Sequence, residues 1–370
     1  MKLAAIAART LQIPFNVAFR HASAERSAMQ SLWVEARAED GTVGYGEGCP
    51  REYVTSESLA TGEAFVQRHA ALWMREIGDA SGLFRWVADH RAEIDRNPAA
   101  WAAVEIALLD LIGKTEARSV EAVLGLPELS GHFRYTAVLG DMDDAKFALQ
   151  LAHYRKAGFG AFKIKLAGER ARDRAKVTVL RAAGLAPDAV RADANNLWRD
   201  PDEAVRELRA LNFPFFALEE PLAAGDYAGM ARVASDLGTN IILDESLLRL
   251  EQLARLPASS DHWIANVRIS KMGGVLRSLE MVRALRERGV PVIVGAHVGE
   301  TSLLTRAGLT VANAARDLLI GQEGAFGTHL LCRDVVEPPL MFGPEGMLDS
   351  AALPRAAPGL GLAIRSGAER

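Results

Sequence analysis

Phe162-Lys163-Ile164-Lys165-Leu166 is a short apolar run interrupted by two lysines. Alternate side chains of an extended strand share a face, so Lys163 and Lys165 point one way and Ile164 the other. The same kind of run recurs downstream. Val190–Ala194 carries Asp193 at its end, and Phe215–Leu218 leads into Glu219. Ile241–Leu243 leads into Asp244, and Trp263–Ile269 is followed by Lys271. Neighbours in this series stand about 25–28 residues apart, the length of one strand-plus-helix unit of a (β/α) barrel. Such a barrel gathers the C-terminal ends of its strands around one axis, so the five residues become a ring of three carboxylates flanked by two lysines.

Any one of these residues alone is more often a solvated strand end, a helix cap or a surface ion pair. Three carboxylates in step on successive strands are not explained that way. Converging acidic oxygens repel unless a cation sits between them, so Asp193, Glu219 and Asp244 are read as ligands of a hard divalent metal. An oxygen-only set suits Mg²⁺, with Mn²⁺ as a substitute. Lys165 and Lys271, on opposite sides, read as an acid/base pair. Two ammonium groups at the Lys163–Lys165 spacing disfavour each other's charge, which moves a lysine toward usable basicity. Glu220 and Glu245, each next to a proposed ligand, are expected on the opposite strand face. Ser270-Lys271-Met272-Gly273-Gly274 lets backbone approach a ligand closely, and Arg268 is read as structural. Further along, His297 and Glu300 in Gly295–Ser302, and Glu323 in Gln322–Gly327, join Lys163 as candidate substrate contacts. For His297 a hydrogen-bonded structural role is the favoured alternative.

Around this core the chain divides into three zones. Residues 1–125 read as α+β: Leu32–Glu39 opens apolar and then alternates, Asp40-Gly41 signals a tight turn, and Thr42–Gly46 is the return strand. Asn97-Pro98 opens a helix running through Ala99–Lys114, too densely apolar to be exposed. Residues 126–340 alternate strand and helix, with eight strand candidates, which implies a parallel sheet closed into a barrel. Residues 341–370 are rich in Pro and Gly and are expected to return to the N-terminal zone.

The bulk numbers agree with a globular protein. The chain has 370 residues, 49% hydrophobic and 24% charged, and a net charge of −4. It carries no basic block, which argues against a nucleic-acid partner. Cys49 and Cys332 stand in no metal or redox spacing, and the N-terminal apolar run is too short for a signal peptide or membrane span. A cytoplasmic location with no membrane partner is the expectation.

Lys163-Ile164-Lys165, Asp193, Glu219, Asp244 and Lys271 together resemble the enolase superfamily, muconate-lactonizing-enzyme subgroup of the mandelate racemase/muconate lactonizing enzyme family. The resemblance implies a modified (β/α)7β TIM-type barrel behind an N-terminal α+β capping domain. It further implies that Lys165 and Lys271 face opposite sides of the carbon next to a substrate carboxylate, and that the metal stabilises the enediolate formed there. Racemisation, epimerisation or cycloisomerisation follows, or elimination as in o-succinylbenzoate synthases. Dipeptide epimerases of the subgroup carry Asp-x-Asp on the final barrel strand; here the segment reads Glu323-Gly324-Ala325. Phe326-Gly327, Leu330-Leu331, Asp334 and Glu300 resemble the cycloisomerase end. A capping-domain loop near residue 20 closes on substrate in such proteins, which makes Arg20 and Arg26 candidates to pair with a second substrate carboxylate. Small-molecule carboxylates are the implied partners, and members are often homo-oligomers. Two different readings compete: a Schiff-base aldolase using a ring lysine as nucleophile, and a barrel retained only as a scaffold. Neither needs three converging carboxylates.

Overall fold

The chain begins with a meander: β1 (Leu3–His21), β2 (Ala24–Ala38) and β3 (Val43–Gly48) form an antiparallel sheet in that order. The structure is a computed structural model. It describes residues 1–21, 24–257, 261–365 and 367, without the side chains of 17–21 and 24–26. The helix Pro98–Thr115 lies on this sheet and is buried from Pro98 to Gly113. Its approach is set by three glycines of β3. A Cβ at Gly44, Gly46 or Gly48 would stand 2.1, 1.9 or 2.0 Å from the backbone oxygens of Ala107, Ala103 and Ala99. Only a strand bare on that face admits a helix so closely. The long first strand is not among those expected from the sequence, although Leu11, Ile13 and Phe15 alternate with exposed Gln12 and Pro14 and are buried.

The second unit is an eight-stranded, wholly parallel sheet. A small pair, β4 (His132–Arg134) with the C-terminal β13 (Met347–Asp349), stands beside it. The eight are β5 (Ala137–Leu139), β6 (Phe162–Lys165), β7 (Val190–Asp193), β8 (Ala217–Glu219), β9 (Asn240–Leu243), β10 (Trp263–Val267), β11 (Val292–Val294) and β12 (Leu319–Gln322), each hydrogen-bonded to the next. The two edges are joined by a parallel bridge between Tyr135 and Gln322, where the Thr136 N–H reaches the Gln322 carbonyl at 2.8 Å. The sheet therefore curls into a TIM-barrel-like form with a hydrophobic plug of Ala217, Ile242, Ile264 and Ile293, one residue from each of four adjacent strands. Burying each isoleucine contributes roughly 1.5–3 kcal/mol.

Helices between the strands cover the outside. Pro201–Leu211 shows why such segments fold. Asp200 caps its N-terminus through the Asp202 N–H, and Pro201 stands at the first helical position. Ala204, Val205, Leu208 and Leu211 make one apolar stripe, and Asn212 ends it at φ 52°. The C-terminal segment returns to the first unit: the Val120 N–H donates to the Gly359 carbonyl at 3.0 Å and the Leu360 N–H to Asp110 Oδ1 at 2.9 Å. Among the described residues no helix is long and apolar enough to cross a membrane.

Candidate active site

Register places the charged residues at one level of the barrel. Lys165 pairs with Asp193 and Asp193 with Glu219 across β6, β7 and β8. Adjacent parallel strands lie about 4.8 Å apart, so these side chains meet on the inward face. Asp244 follows β9 directly. Asp193, Glu219 and Asp244 are each about 1% exposed.

Their charge is met by cations of the chain itself. The Lys163 ammonium lies 2.7 Å from Glu219 Oε2, 3.2 Å from Asp193 Oδ2 and 3.1 Å from Glu323 Oε2. Lys165 Nζ is 2.5 Å from Asp193 Oδ2 and donates to Asn195 Oδ1 at 2.9 Å. Arg268 is paired with Asp244 and stands 3.6 Å from Glu219 Oε1. The Asn266 amide donates to that same oxygen at 3.3 Å.

These contacts reverse one expectation. Lys163 was expected to be acidified by its lysine neighbour. Burial does work in that direction, but Glu219, Glu323 and Asp193 outweigh it and hold the ammonium above its ordinary value. The carboxylates diverge in turn. Burial and the Asp193 charge push Glu219 up to about 7. Asp244 is held below its usual range, because Arg268 and Lys271 overcome its burial.

Lys271 lies beyond the end of β10, in the segment that follows it. The strand ends at Val267, and Ile269–Met272 forms a helical turn. The Lys271 side chain is 0% exposed, and its ammonium donates to the Asp244 main-chain carbonyl at 2.6 Å and to Oδ1 at 2.7 Å. Burial lowers its pKa, with Asp244 opposing. Glu323 is likewise occupied, with Oε1 3.1 Å from Arg191 and Oε2 on Lys163. His297 is buried with neither ring nitrogen hydrogen-bonded, which differs from the satisfied histidine favoured above. Burial, then Arg268 and Arg51, keep it neutral. The Glu300 carboxylate accepts from the His297 N–H at 2.7 Å, and burial pushes it up to about 8. The side chains of Arg20 and Arg26 lie outside the described residues.

Two neighbours hold the rim. Glu220 sits at φ 42°, and its carboxylate accepts from the Asp244 and Ser246 N–H groups and the Ser246 hydroxyl at 2.7–2.8 Å. It thereby fixes the loop that carries Asp244. Glu245 has a buried Oε2 without a hydrogen bond, and burial with the Asp244 charge raises it to about 8. Sequence reasoning missed Arg191, Asn195 and Asn266 altogether. The available signal was a count of two along each strand from an inward residue.

As the side chains stand, no three His, Cys, Asp or Glu among the described residues close on a single point suited to an ion. Lys163 and Arg268 occupy the space between the carboxylates. The donor set nevertheless fits a hard cation. Its donors are all oxygens from adjacent inward positions, Glu219 is driven toward protonation by burial and the Asp193 charge, and Glu245 Oε2 is buried without a hydrogen bond. A cavity of about 330 Å³ lined in part by Ser119, Glu121, Arg306 and Arg355 contains none of these residues.

The family model described as "Enolase C-terminal domain-like" matches residues 146–368, more than half of the chain. A hydrophobic dipeptide epimerase of Enterococcus faecalis is 28% identical over 333 residues, covering 86% of this chain and 89% of that protein. A chloromuconate cycloisomerase of Cupriavidus pinatubonensis is 24% identical over 347 residues, covering 90% and 88%. A solved dipeptide epimerase from Enterococcus faecalis V583, complexed with Mg and the dipeptide L-Leu-L-Tyr, superposes with a TM-score of 0.81 at 27% identity, covering 98% of this chain and all of that one. On this match, and on a ring of inward acids and lysines at one end of a parallel sheet, the chain belongs to the enolase C-terminal domain-like family and is an enolase-superfamily isomerase.

Proposed function

We propose that this protein is a Mg²⁺-dependent isomerase that removes a proton α to a substrate carboxylate, on a modified (β/α)7β barrel spanning 126–340. Residues 1–125 form its capping domain and 341–370 the return to it. The observation that carries this reading is the lateral row Lys165, Asp193 and Glu219 on three adjacent strands, with Asp244 following the fourth.

In this reading Asp193, Glu219 and Asp244 would hold the ion, with Mn²⁺ able to replace it. When bound, it supplies electrostatic stabilisation to the second negative charge that deprotonation places on the carboxylate. Lys165 takes the α-proton. It is the most exposed of the inward lysines, with its side chain 17% exposed against 3% for Lys163. Lys163 balances charge among Asp193, Glu219 and Glu323. On the far side Lys271, paired with Asp244 beside Arg268, is the second acid/base group. The enediolate can be reprotonated, giving racemisation or epimerisation, or can close a ring by cycloisomerisation; elimination to a lyase product is the alternative on the same site. Glu323 meets Lys163 and Arg191, which favours a substrate without the ammonium group of a dipeptide. Glu300, His297, Arg20 and Arg26 remain proposed contacts to the rest of the substrate, and a cytoplasmic homo-oligomer is the proposed form.

The test is solvent-deuterium exchange read by mass spectrometry across dipeptides, N-acyl amino acids and dicarboxylic acids. Exchange should require Mg²⁺ and vanish in EDTA. Lys165→Ala should lower it by about 10²–10⁴-fold while metal affinity is kept. Undiminished exchange in that variant, or in EDTA, would overturn the proposal.

A further inference from the structure

The sheet holds the main chain of Lys165 on one side only. Lys165 is the last residue of β6, and β7 runs beside it to the same level. On the other side the ladder has already stopped, since β5 ends at Leu139, opposite Ile164. The Lys165 carbonyl is met instead by an ammonium from outside the barrel. Lys176, on the helix Arg170–Ala182, donates to it at 2.7 Å. The same Nζ reaches Asp141 Oδ1, two residues past β5, at 2.9 Å and Asp173 Oδ1 at 3.3 Å. Asp173 in turn accepts the Ala167 and Gly168 N–H groups at 2.8 and 3.0 Å, in a turn where Gly168 sits at φ 74°. Lys176 is 1% exposed, and these three contacts include none of the ring acids.

We infer that Lys176 is a positioning residue for Lys165: it stands in for the missing strand neighbour and fixes the point from which the Lys165 side chain starts. The inference rests on the reading above in which Lys165 takes the α-proton. A lysine ammonium sits on a flexible stem, so it is placed by its own main chain at one end and by its polar partners at the other. Misplacing a reacting group by about 1 Å costs on the order of 10²-fold in rate. An apolar side chain would pack this helix on the barrel without taking a charge out of water. It could not meet the Lys165 carbonyl or hold Asp173 against the turn. Arg172 separates the two roles. It makes two 2.8 Å bonds to Asp141 from a half-exposed position, and its remaining bond goes to Glu169. Arg172 therefore shares the acid but not the Lys165 carbonyl. Glu220 does the equivalent for the loop that carries Asp244, from the neighbouring strand. Lys176 acts through the backbone of Lys165 and touches no reacting atom.

The test is solvent-deuterium exchange by the Mg²⁺-loaded full chain, using whichever dipeptide, N-acyl amino acid or dicarboxylic acid the wild-type protein exchanges fastest. Lys176→Met should lower kcat for exchange by about 10–10²-fold, with KM and Mg²⁺ affinity each changed by less than about threefold. Lys176→Arg should recover most of the loss, because a guanidinium still donates to the carbonyl and to both acids. Arg172→Met, which removes only a half-exposed pair, should stay within about threefold of wild type. Should Lys176→Met fail to fold, the double variant Lys176→Met with Asp141→Asn restores the charge balance and carries the same expectation. Lys176→Met protein that is merely less stable, with wild-type kcat below its melting range, would overturn the inference. A loss carried wholly by KM, or an equal loss in Arg172→Met, would do so too. If no probe exchanges with the wild-type protein, or if Lys165→Ala exchanges undiminished, the reading of Lys165 fails and takes this inference with it. If Lys165→Ala is inactive while Lys176→Met exchanges at the wild-type rate, only the inference falls.

Discussion

Replacing Lys163 by Met removes the one ammonium that touches three buried carboxylates while keeping most of the side-chain volume. Its Nζ lies 2.7 Å from Glu219, 3.1 Å from Glu323 and 3.2 Å from Asp193, and the side chain is 3% exposed, so solvent screens little of the loss. Breaking a buried pair by deleting one partner costs about 3–5 kcal/mol, because the remaining charge is stranded. The stranded acid that responds first is Glu219, already pushed to about 7 by burial and Asp193. In the variant it rises further. An acid whose folded pKa lies above its unfolded value holds a proton in the folded state that the unfolded chain releases. Stability therefore falls as pH rises from about 4.5 through the folded value, by about 1.4 kcal/mol per unit. Urea unfolding without metal should show Lys163→Met close to wild type near about pH 5 and about 3–5 kcal/mol less stable near about pH 9. Excess Mg²⁺ should restore more stability to the variant than to the wild type, since a divalent ion answers the same negative charge. A pH-independent difference under about 1 kcal/mol would refute the reasoning that Lys163 neutralises the ring.

The remaining predictions concern room and buried charge. Gly295→Ala should lower stability by about 1–3 kcal/mol and displace Asn266 and Arg268; an unchanged melting temperature with full exchange activity would show that the inward face tolerates the methyl group. Glu105 is fully buried, accepts from the Leu276 N–H at 3.0 Å, and is pushed up to about 7 by burial. Its contribution should therefore fall by on the order of 3 kcal/mol as pH rises from about 4.5 to 7. Glu105→Gln should gain relative to wild type over that window in urea unfolding, and parallel pH curves would contradict this.

The beat of strand and helix was legible because each barrel strand is a short apolar run ending in a charge. Phe162–Leu166 was expected and Phe162–Lys165 is observed; Val190–Ala194 was expected and Val190–Asp193 is observed. The helix expected over Ala99–Lys114 runs from Pro98 to Thr115. What failed was finer. Trp263–Ile269 was read as one strand, but the chain leaves the sheet at Val267 and turns helical at Ile269. The apolar run continues two residues past the hydrogen-bonded strand, because hydrophobicity does not mark where the backbone leaves the ladder. Lys163 was misjudged for a related reason. Its sequence neighbour is a lysine, whereas its neighbours in space are acids from β7, β8 and the end of β12, and cross-strand distance leaves no mark in a one-dimensional pattern. Glu220 was rightly separated from Glu219 by alternation, yet its hold on the loop through Ser246 depends on a left-handed backbone that its neighbours in the sequence do not announce.

The central claim is that Asp193, Glu219 and Asp244 share one cation. Calorimetric titration with Mg²⁺, paired with the paramagnetic signal of Mn²⁺, tests it without any substrate. The account predicts one ion bound per chain, with affinity lost in Asp193→Asn, Glu219→Gln and Asp244→Asn alike. Binding that survives all three substitutions, or no binding by the wild-type chain, would contradict it.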